Sequence, residues 1–387
     1  MVPKGWSEHT LDDLALVERG KFSVRPRNDP RYYGGDMPFV QTGDVTSSGT
    51  YLKSFSQTLN ENGVGVSKVF PKNTILITIA ANIGDTAITT FEVACPDSVV
   101  AIQPYKHVAD VYWLKKYLET RKTDLDAQST QNAQKNINLQ VLKPLLILTP
   151  PYAEQKKIAK ILSTWDNAIS VTEKLLANSQ QQKKALMQQL LTGKKRLLDE
   201  NGVRFSGEWR NSTLSMFCNI AKGKALSASD LEVGDFPVIA GGKSSPYRHS
   251  DYTHENVVTV SASGAYAGYI SYHNYKIWAS DCSVVSAKAD NLIDYFYQLL
   301  LSLQDKIYSL QSGGAQPHIY PKDLNSIPLW VPCVKEQQKI ATVLSAADAE
   351  ISTLEKKLAC LRDEKKALMQ QLLTGKRRVK VDEAVAE

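Results

Sequence analysis

Cysteine is scarce and scattered in this chain. Cys95, Cys218, Cys282, Cys333 and Cys360 are an odd five, with no C-x-x-C pair and no histidine pair near them, so neither a disulfide framework nor a zinc site is supported. No stretch approaches the ~18 uninterrupted apolar residues of a membrane helix, and the opening Met-Val-Pro-Lys-Gly-Trp has no apolar signal core. The expectation is a cytoplasmic protein that does not associate with a membrane. A phosphate loop is missing too: Gly193-Lys194 is followed by Lys195 and lacks the upstream glycine, and Gly63-Val64-Gly65 lacks the third glycine and a following helix. The histidines His107, His249, His254, His273 and His318 show no nucleophile–base arrangement. No extreme of charge occurs either; 46 Lys plus Arg against 40 Asp plus Glu leave +6, which suits an anionic partner without demanding one.

What is present is a repeat. The 387 residues, 43% hydrophobic, suffice for two or three domains with real cores. Residues 154–196 align without a gap to 336–378, with 27 of 43 positions identical at an offset of 182. The same register extends upstream, where Ala133 and Gln134 meet Ala315 and Gln316, Leu142 meets Leu324 and Pro150 meets Pro332. Further back Trp6, Leu11, Gly20 and Lys21 correspond to Trp209, Leu214, Gly223 and Lys224 at an offset of 203. The chain is a tandem duplication in which a variable segment precedes a near-invariant one. The kept part should do a shared job and the divergent parts two different ones.

The kept part reads as two long helices. Each matched segment follows prolines (Pro150 and Pro151; Pro332), runs without Pro or Gly, and stops at Thr-Gly-Lys (Gly193; Gly375). Apolar residues recur at alternating spacings of three and four. In the first copy they are Ile158, Leu162, Trp165, Ile169, Leu176, Leu186 and Leu190; in the second, Ile340, Leu344, Ile351, Leu354, Leu358, Leu361, Leu368 and Leu372, with Lys365 breaking the stripe. Rods of about 60 Å cannot bury such stripes alone. Packing of each rod on its own domain is one arrangement. Pairing of the rods in an antiparallel coiled coil, giving a pseudo-twofold molecule, is the other and the one expected; Trp165 facing a small residue such as Ala347 would break the symmetry.

The divergent parts carry chemistry suited to DNA. Arg19, Lys21, Arg25, Arg27 and Arg31 fall within thirteen residues against one acid, Asp29, and Tyr32, Tyr33, Gly34 and Gly35 follow. Pro26 and Pro30 make this a loop, from which arginine forks can grip phosphates or guanine edges; a solvated basic loop is the alternative. The second segment is quieter, with Lys222, Lys224, Lys243, Tyr247, Arg248 and His249, and six of the chain's 17 tyrosines lie between 247 and 275, Tyr266 and Tyr269 among them. Interleaved with Gly and Ser they form an adaptable hydrogen-bonding surface, although core tyrosines of strands would read similarly. The DNA-contacting candidates are therefore Lys21, Arg25, Arg27, Arg31 and Tyr32 in the first segment, and Lys224, Lys243, Tyr247, Arg248, His249, Tyr266 and Tyr269 in the second. Both segments otherwise read as α/β, with β-branched runs (74–79; 257–260; 283–285), aromatic helices at 112–117 and 295–308, and a polar Gln/Asn/Ser/Gly stretch after each helix (128–134; 311–316).

This layout resembles the specificity subunit of type I restriction-modification systems. The resemblance is carried by the Pro-x-x-x-Glu-Gln helix starts (150–155; 332–337), the Leu-Met-Gln-Gln-Leu-Leu-Thr-Gly-Lys ends (186–194; 368–376) and the tryptophans Trp6 and Trp209. It implies an α/β chain with two target-recognition domains, 1–150 and 197–332, a central spacer helix within 151–196, a distal spacer helix within 333–378 and a tail, 379–387. It further implies that each domain reads half of an asymmetric split site on double-stranded DNA. The helices would dock two methyltransferase subunits, joined by restriction/translocase subunits. S-adenosylmethionine and ATP would sit on those partners, this chain binding no cofactor or metal and catalysing nothing. Thr149-Pro150-Pro151-Tyr152 mimics the Asn/Asp-Pro-Pro-Tyr loop of amino-methyltransferases, but Thr cannot hold the target amine and Val331-Pro332-Cys333-Val334 abandons the pattern. A subunit of a methylation-only system fits the same residues, and a coiled-coil scaffold that never touches DNA would need the rods alone; salt-dependent DNA binding separates the scaffold from the other two.

Overall fold

The computed structural model describes residues 2–129, 136–242, 247–313 and 316–381. They form two compact units, Met1–Thr172 with Lys357–Glu387, and Glu173–Lys356. Each contains a globular α/β part and half of each long helix.

In unit 1 a five-stranded sheet runs in the order Ala15–Arg19, Val99–Pro104, Ile75–Thr78, Thr86–Thr89, Tyr51–Leu52, and a four-stranded sheet in the order Gln57–Leu59, Tyr33–Phe39, Val93–Ala94, Val69–Phe70. The helix Val111–Thr120 lies on the first sheet and buries Trp113 and Leu114 against Ile75, Ile77, Val100 and Ile102. In unit 2 the sheet order is Cys218–Lys222, Cys282–Ala287, Val257–Ser261, Ile270–His273, beside a smaller sheet of Arg248–His249, Phe236–Ile239 and Trp278–Ala279. Helix Ile293–Ser302 buries Tyr295 and Phe296 in the equivalent position. The aromatic helix expected to run to Tyr308 breaks at Leu303, which caps one helix and starts the short Gln304–Tyr308; the apolar pattern continues across the break, which is why periodicity alone missed it.

The Gly-Lys pairs shared by the two segments have a steric reason. A Cβ on Gly20 would stand 2.3 Å from the Pro96 carbonyl oxygen, and one on Gly223 2.3 Å from that of Ser280. Only glycine lets the backbone pass there, after which the amides of Lys21 and Lys224 donate to the carbonyls of Cys95 (2.9 Å) and Ala279 (2.8 Å).

The long helices are Tyr152–Leu190 and Val334–Leu372, 39 residues each. They stop as expected, with Gly193 and Gly375 at φ of +71° and +69°. Within each unit they pair in opposite directions. In unit 1 Ile158 and Leu162 share a core with Leu372 and Leu373, and Asp166 meets Lys365. In unit 2 Leu190 and Leu191 share a core with Ile340 and Leu344, and Asp348 meets Lys183. Every position expected on the seam is buried or half-buried, with Ile158, Leu162 and Leu190 on one helix and Ile340, Leu344, Leu358 and Leu372 on the other buried. Lys365, which interrupts the apolar stripe, and its counterpart Lys183 each answer an aspartate of the other helix, and a charged pair of this kind inside a seam selects one register. That register separates Trp165 from Ala347: Trp165 lines a cavity of unit 1 with Ile161, Leu368 and Leu372, whereas Ala347 lies in unit 2.

Candidate nucleic-acid interfaces

The helix starts explain the Glu-Gln pairs. Glu154 and Glu336 are buried (3% and 1% exposed). Glu154 accepts from the Trp6 indole (3.1 Å) and from two nitrogens of Arg378 (2.8 Å each), and Glu336 accepts from Trp209 (3.3 Å) and Arg196 (2.6 Å each). Each guanidinium also stacks on its tryptophan, 5.6 Å from the ring centre. Arg196 and Arg378 follow the last turns of their own helices, whose free carbonyls a cation there could satisfy. Instead each crosses to the start of the other, where a buried carboxylate offers a stronger partner than hydrated carbonyls, and the hydrogen bonds to that carboxylate raise both arginine pKa values. The neighbouring glutamines bind the globular part: Gln155 Oε1 accepts from the amide of Asp110 (2.8 Å), Gln337 Oε1 from that of Leu292 (3.0 Å), each at the head of the aromatic helix.

In unit 1 the basic loop is exposed but not unheld. Arg31 grips Asp29 with Nε (3.1 Å) and Nη2 (2.6 Å), and these hydrogen bonds hold the Asp29 carboxyl below its ordinary range. Arg27 bonds Asp97 at 2.8 and 3.1 Å, and the Tyr33 hydroxyl donates to the Arg27 carbonyl. Tyr32 packs edge-on against Phe22, with the Arg31 guanidinium 5.9 Å from its ring centre. Among the described residues Arg25 bonds only its neighbour's carbonyl, that of Val24, and Lys21 has no carboxylate partner. The positive charge of the loop therefore resides most freely on Lys21 and Arg25. Beside it lies an open cavity of about 310 Å³ lined by Asn28, Pro30, Tyr33, Gly34, Gln57 and Thr58.

In unit 2 the expected residues separate. Arg248 and Tyr269 come together in an open cleft of about 460 Å³, joined by Tyr272, His273, Tyr275 and Tyr297. The cleft runs along Ile270–His273, the edge strand of the main sheet, and faces Phe236–Ile239 of the smaller one. Burial pushes the Tyr297 hydroxyl up to about 12 and the His273 imidazole down to about 4, so the cleft presents neutral hydrogen-bonding rings beside one guanidinium. Tyr247 and Tyr266 are exposed elsewhere on the surface, and Lys224 lies 4.9 Å over the Trp278 ring. His249 is a correction: it is 7% exposed, bonded to the Asp230 carbonyl (3.2 Å) and the Asp251 amide (2.9 Å), and packed 4.3 Å from Trp278. An alternating strand turns it inward while its neighbour Arg248 faces out. Lys243 lies outside the described residues. Sequence reading missed Tyr297, which comes from the aromatic helix, and Asp97, which neutralises Arg27. The tyrosine-rich run did contain Tyr272 and Tyr275, but nothing local tells cleft from core.

Among the described residues no three His, Cys, Asp or Glu side chains gather as a metal would require, and no helix is long and apolar enough to cross a membrane.

Residues 3–178 and 206–361 match the family model described as the type I restriction modification DNA specificity domain. The chain is 25% identical to the MjaVIII type I restriction enzyme specificity subunit of Methanocaldococcus jannaschii, over 98% of this chain and 94% of that one. To the EcoprrI type I restriction enzyme specificity subunit of Escherichia coli it is 22% identical, over 81% and 80%. The crystal structure of a type I restriction-modification S subunit from M. genitalium superposes with a TM-score of 0.69 at 19% identity, covering 95% and 96% of the two chains.

Proposed function

Because the chain belongs to the family of type I restriction-modification DNA specificity subunits, we propose that it reads a split, asymmetric duplex site in the cytoplasm, one half with each unit. A specificity subunit supplies sequence choice and leaves the chemistry to its partners. Here the duplicated helices would dock two methyltransferase subunits, which bring S-adenosylmethionine, and restriction/translocase subunits using ATP would join them. The observation that carries this reading is a contrast. The pairing of the helices and their Trp–Glu–Arg clasps recur in both units, while the surfaces beyond them differ: an arginine loop in one, a tyrosine cleft in the other.

Loop cations would place unit 1 on the phosphates, and side-chain forks and phenols would read base edges. The separation of the half-sites would follow from the separation of the readers, as in other two-part DNA binders. The test is binding of randomised duplex DNA by the subunit in complex with its methyltransferase partner, measured over a range of salt. The logarithm of the affinity should fall linearly with log salt, and Arg25→Ala should lower the slope by about one. Binding that ignores salt would leave only a scaffold.

A further inference from the structure

Outside the clasps, the two units share one more device, and nothing in the local sequence announces it. Lys115 and Lys116, adjacent on the helix Val111–Thr120, are each 1% exposed. Lys116 bonds Asp166 of the first long helix (2.8 Å), Glu119 (3.1 Å) and the Thr50 hydroxyl (3.0 Å). Asp166 also accepts from Thr50 (2.6 Å) and from the Tyr112 hydroxyl (2.5 Å), and it meets Lys365 of the second long helix. One carboxylate thus joins a strand-edge loop, the aromatic helix and both long helices. Burial would raise its pKa, yet Lys116, Lys365 and Thr50 together hold it below its ordinary range.

Unit 2 repeats the joint with a different partner. Asp348 is the counterpart of Asp166 at the offset of 182, Lys183 the counterpart of Lys365, and Gln298 that of Lys116. Gln298, 1% exposed, donates to Asp348 at 2.6 Å, and Lys183 pairs with the same carboxylate. The aspartate and its lysine belong to the kept segment; the side chain that addresses them belongs to the divergent one. A core can be filled in many ways, but in both units a fully buried polar side chain spans from the recognition domain to this one carboxylate.

We propose that Asp166 and Asp348 are positioning residues, with Lys116, beside Tyr112 and Thr50, as the recognition-side partner of the first and Gln298 as that of the second. Each joint fixes the angle at which a recognition domain leaves the helix pair, and thereby which gap between half-sites the subunit accepts. This rests on the reading that each unit recognises one half-site. Neither aspartate touches DNA in this role. A buried hydrogen bond to a charged group is directional, so losing it frees the domain to rock about its apolar contacts with the helices without detaching.

The experiment is selection from a randomised duplex library with the full chain in complex with its methyltransferase partner, followed by sequencing for both half-site motifs and the gap between them. Lys116→Met keeps the stem and removes the bond to Asp166. It should leave both motifs unchanged while sequences with a gap one base pair shorter or longer become about fivefold more frequent, the scale of one lost hydrogen bond. Lys116→Gln, which installs unit 2's own solution in unit 1, should restore the narrow gap. Gln298→Leu tests the other joint with the same readout, and decides the matter if Lys116→Met does not fold. A folded variant that keeps the wild-type gap distribution, or loses affinity equally at all gaps, overturns the proposal, because a merely structural role predicts that. Absence of any two-part motif from the wild-type complex would overturn the reading beneath it as well.

Discussion

Unit 1 and unit 2 fasten their recognition domains to equivalent aspartates by different chemistry, a buried lysine in one and an amide in the other. Everything the helices contribute to the joint is the same in both: the carboxylate, the seam lysine, the clasp glutamate and the glutamine that binds the head of the aromatic helix. The difference teaches that the helix pair offers a fixed set of sockets, and that a diverging domain keeps its place by offering any side chain that fits them. Unit 1 does so at an electrostatic cost, since two buried lysines lie side by side against a half-buried glutamate, where unit 2 has Tyr297, Gln298 and Leu301.

The comparison can be broken most severely at the clasps. Glu336→Ala leaves Arg196 without its carboxylate, and Glu154→Ala does the same to Arg378. Removal of one partner from a buried pair is costly, and the Arg196 side chain is 21% exposed against 42% for Arg378. Chemical denaturation should therefore show a loss of about 3 kcal/mol for Glu336→Ala and a smaller one for Glu154→Ala, whose orphaned guanidinium hydrates more easily. Equal losses would mean that the clasps differ only in sequence number.

The next effect separates the units by pH. Burial pushes the Lys115 ammonium down to about 8 against the pull of Glu119, while Lys116 alongside adds repulsion. The unfolded chain then binds more protons than the folded one between about 8 and 10.5, so unit 1 gains stability as pH rises through that window. Tyr297, the counterpart in unit 2, is raised to about 12, so unit 2 loses stability as pH climbs from about 10 towards 12. Hydrogen exchange in helix Val111–Thr120 should slow relative to its intrinsic rate from pH 8 to 10, and that in Ile293–Ser302 should not. Lys115→Met should stabilise unit 1 by about 3 kcal/mol at pH 7, and the advantage should fall below about 1 kcal/mol by pH 10.

Smaller effects concern the reading surfaces. Arg25→Ala should weaken DNA binding about tenfold at moderate salt without changing stability, because among the described residues its side chain bonds only a neighbouring carbonyl. If neither Arg25→Ala nor Arg27→Ala alters affinity or half-site preference, the loop of unit 1 is not the reader. Asp97→Asn should change stability by less than about 1 kcal/mol, since the Arg27–Asp97 pair is half exposed, while freeing Arg27 to strengthen DNA binding slightly.

Much of the scaffold is legible in the sequence because the duplication is itself a comparison. The helix limits, the glycine stops and the seam follow from periodicity and punctuation. The antiparallel sense of the pair was legible as well, whereas its register follows only from the structure, as does the crossing of Arg196 and Arg378 to the other helix. The polar partners were hidden for a physical reason: a Lys-Lys pair inside an aromatic helix reads as a solvated face, and only the distant Asp166 makes burial tolerable. Matching Lys116 with Gln298 across the offset of 182 was open to inspection, yet nothing short-range marks those positions as facing one carboxylate. His249 misled because a histidine beside an exposed arginine looks like a surface residue until strand alternation is fixed. Tyr269 and Arg248 meet in a cleft that no spacing foretells, since a sheet edge and a separate small sheet build it.

That the paired helices set the distance between half-sites is tested most directly by lengthening both at once. One added heptad after Thr172 and one after Lys356 keep the seam in phase and extend the pair by about 10 Å, close to three base-pair rises of duplex DNA. Selection from randomised duplexes should return both half-site motifs intact with the gap longer by about three base pairs. The same motifs at the original gap would contradict the account.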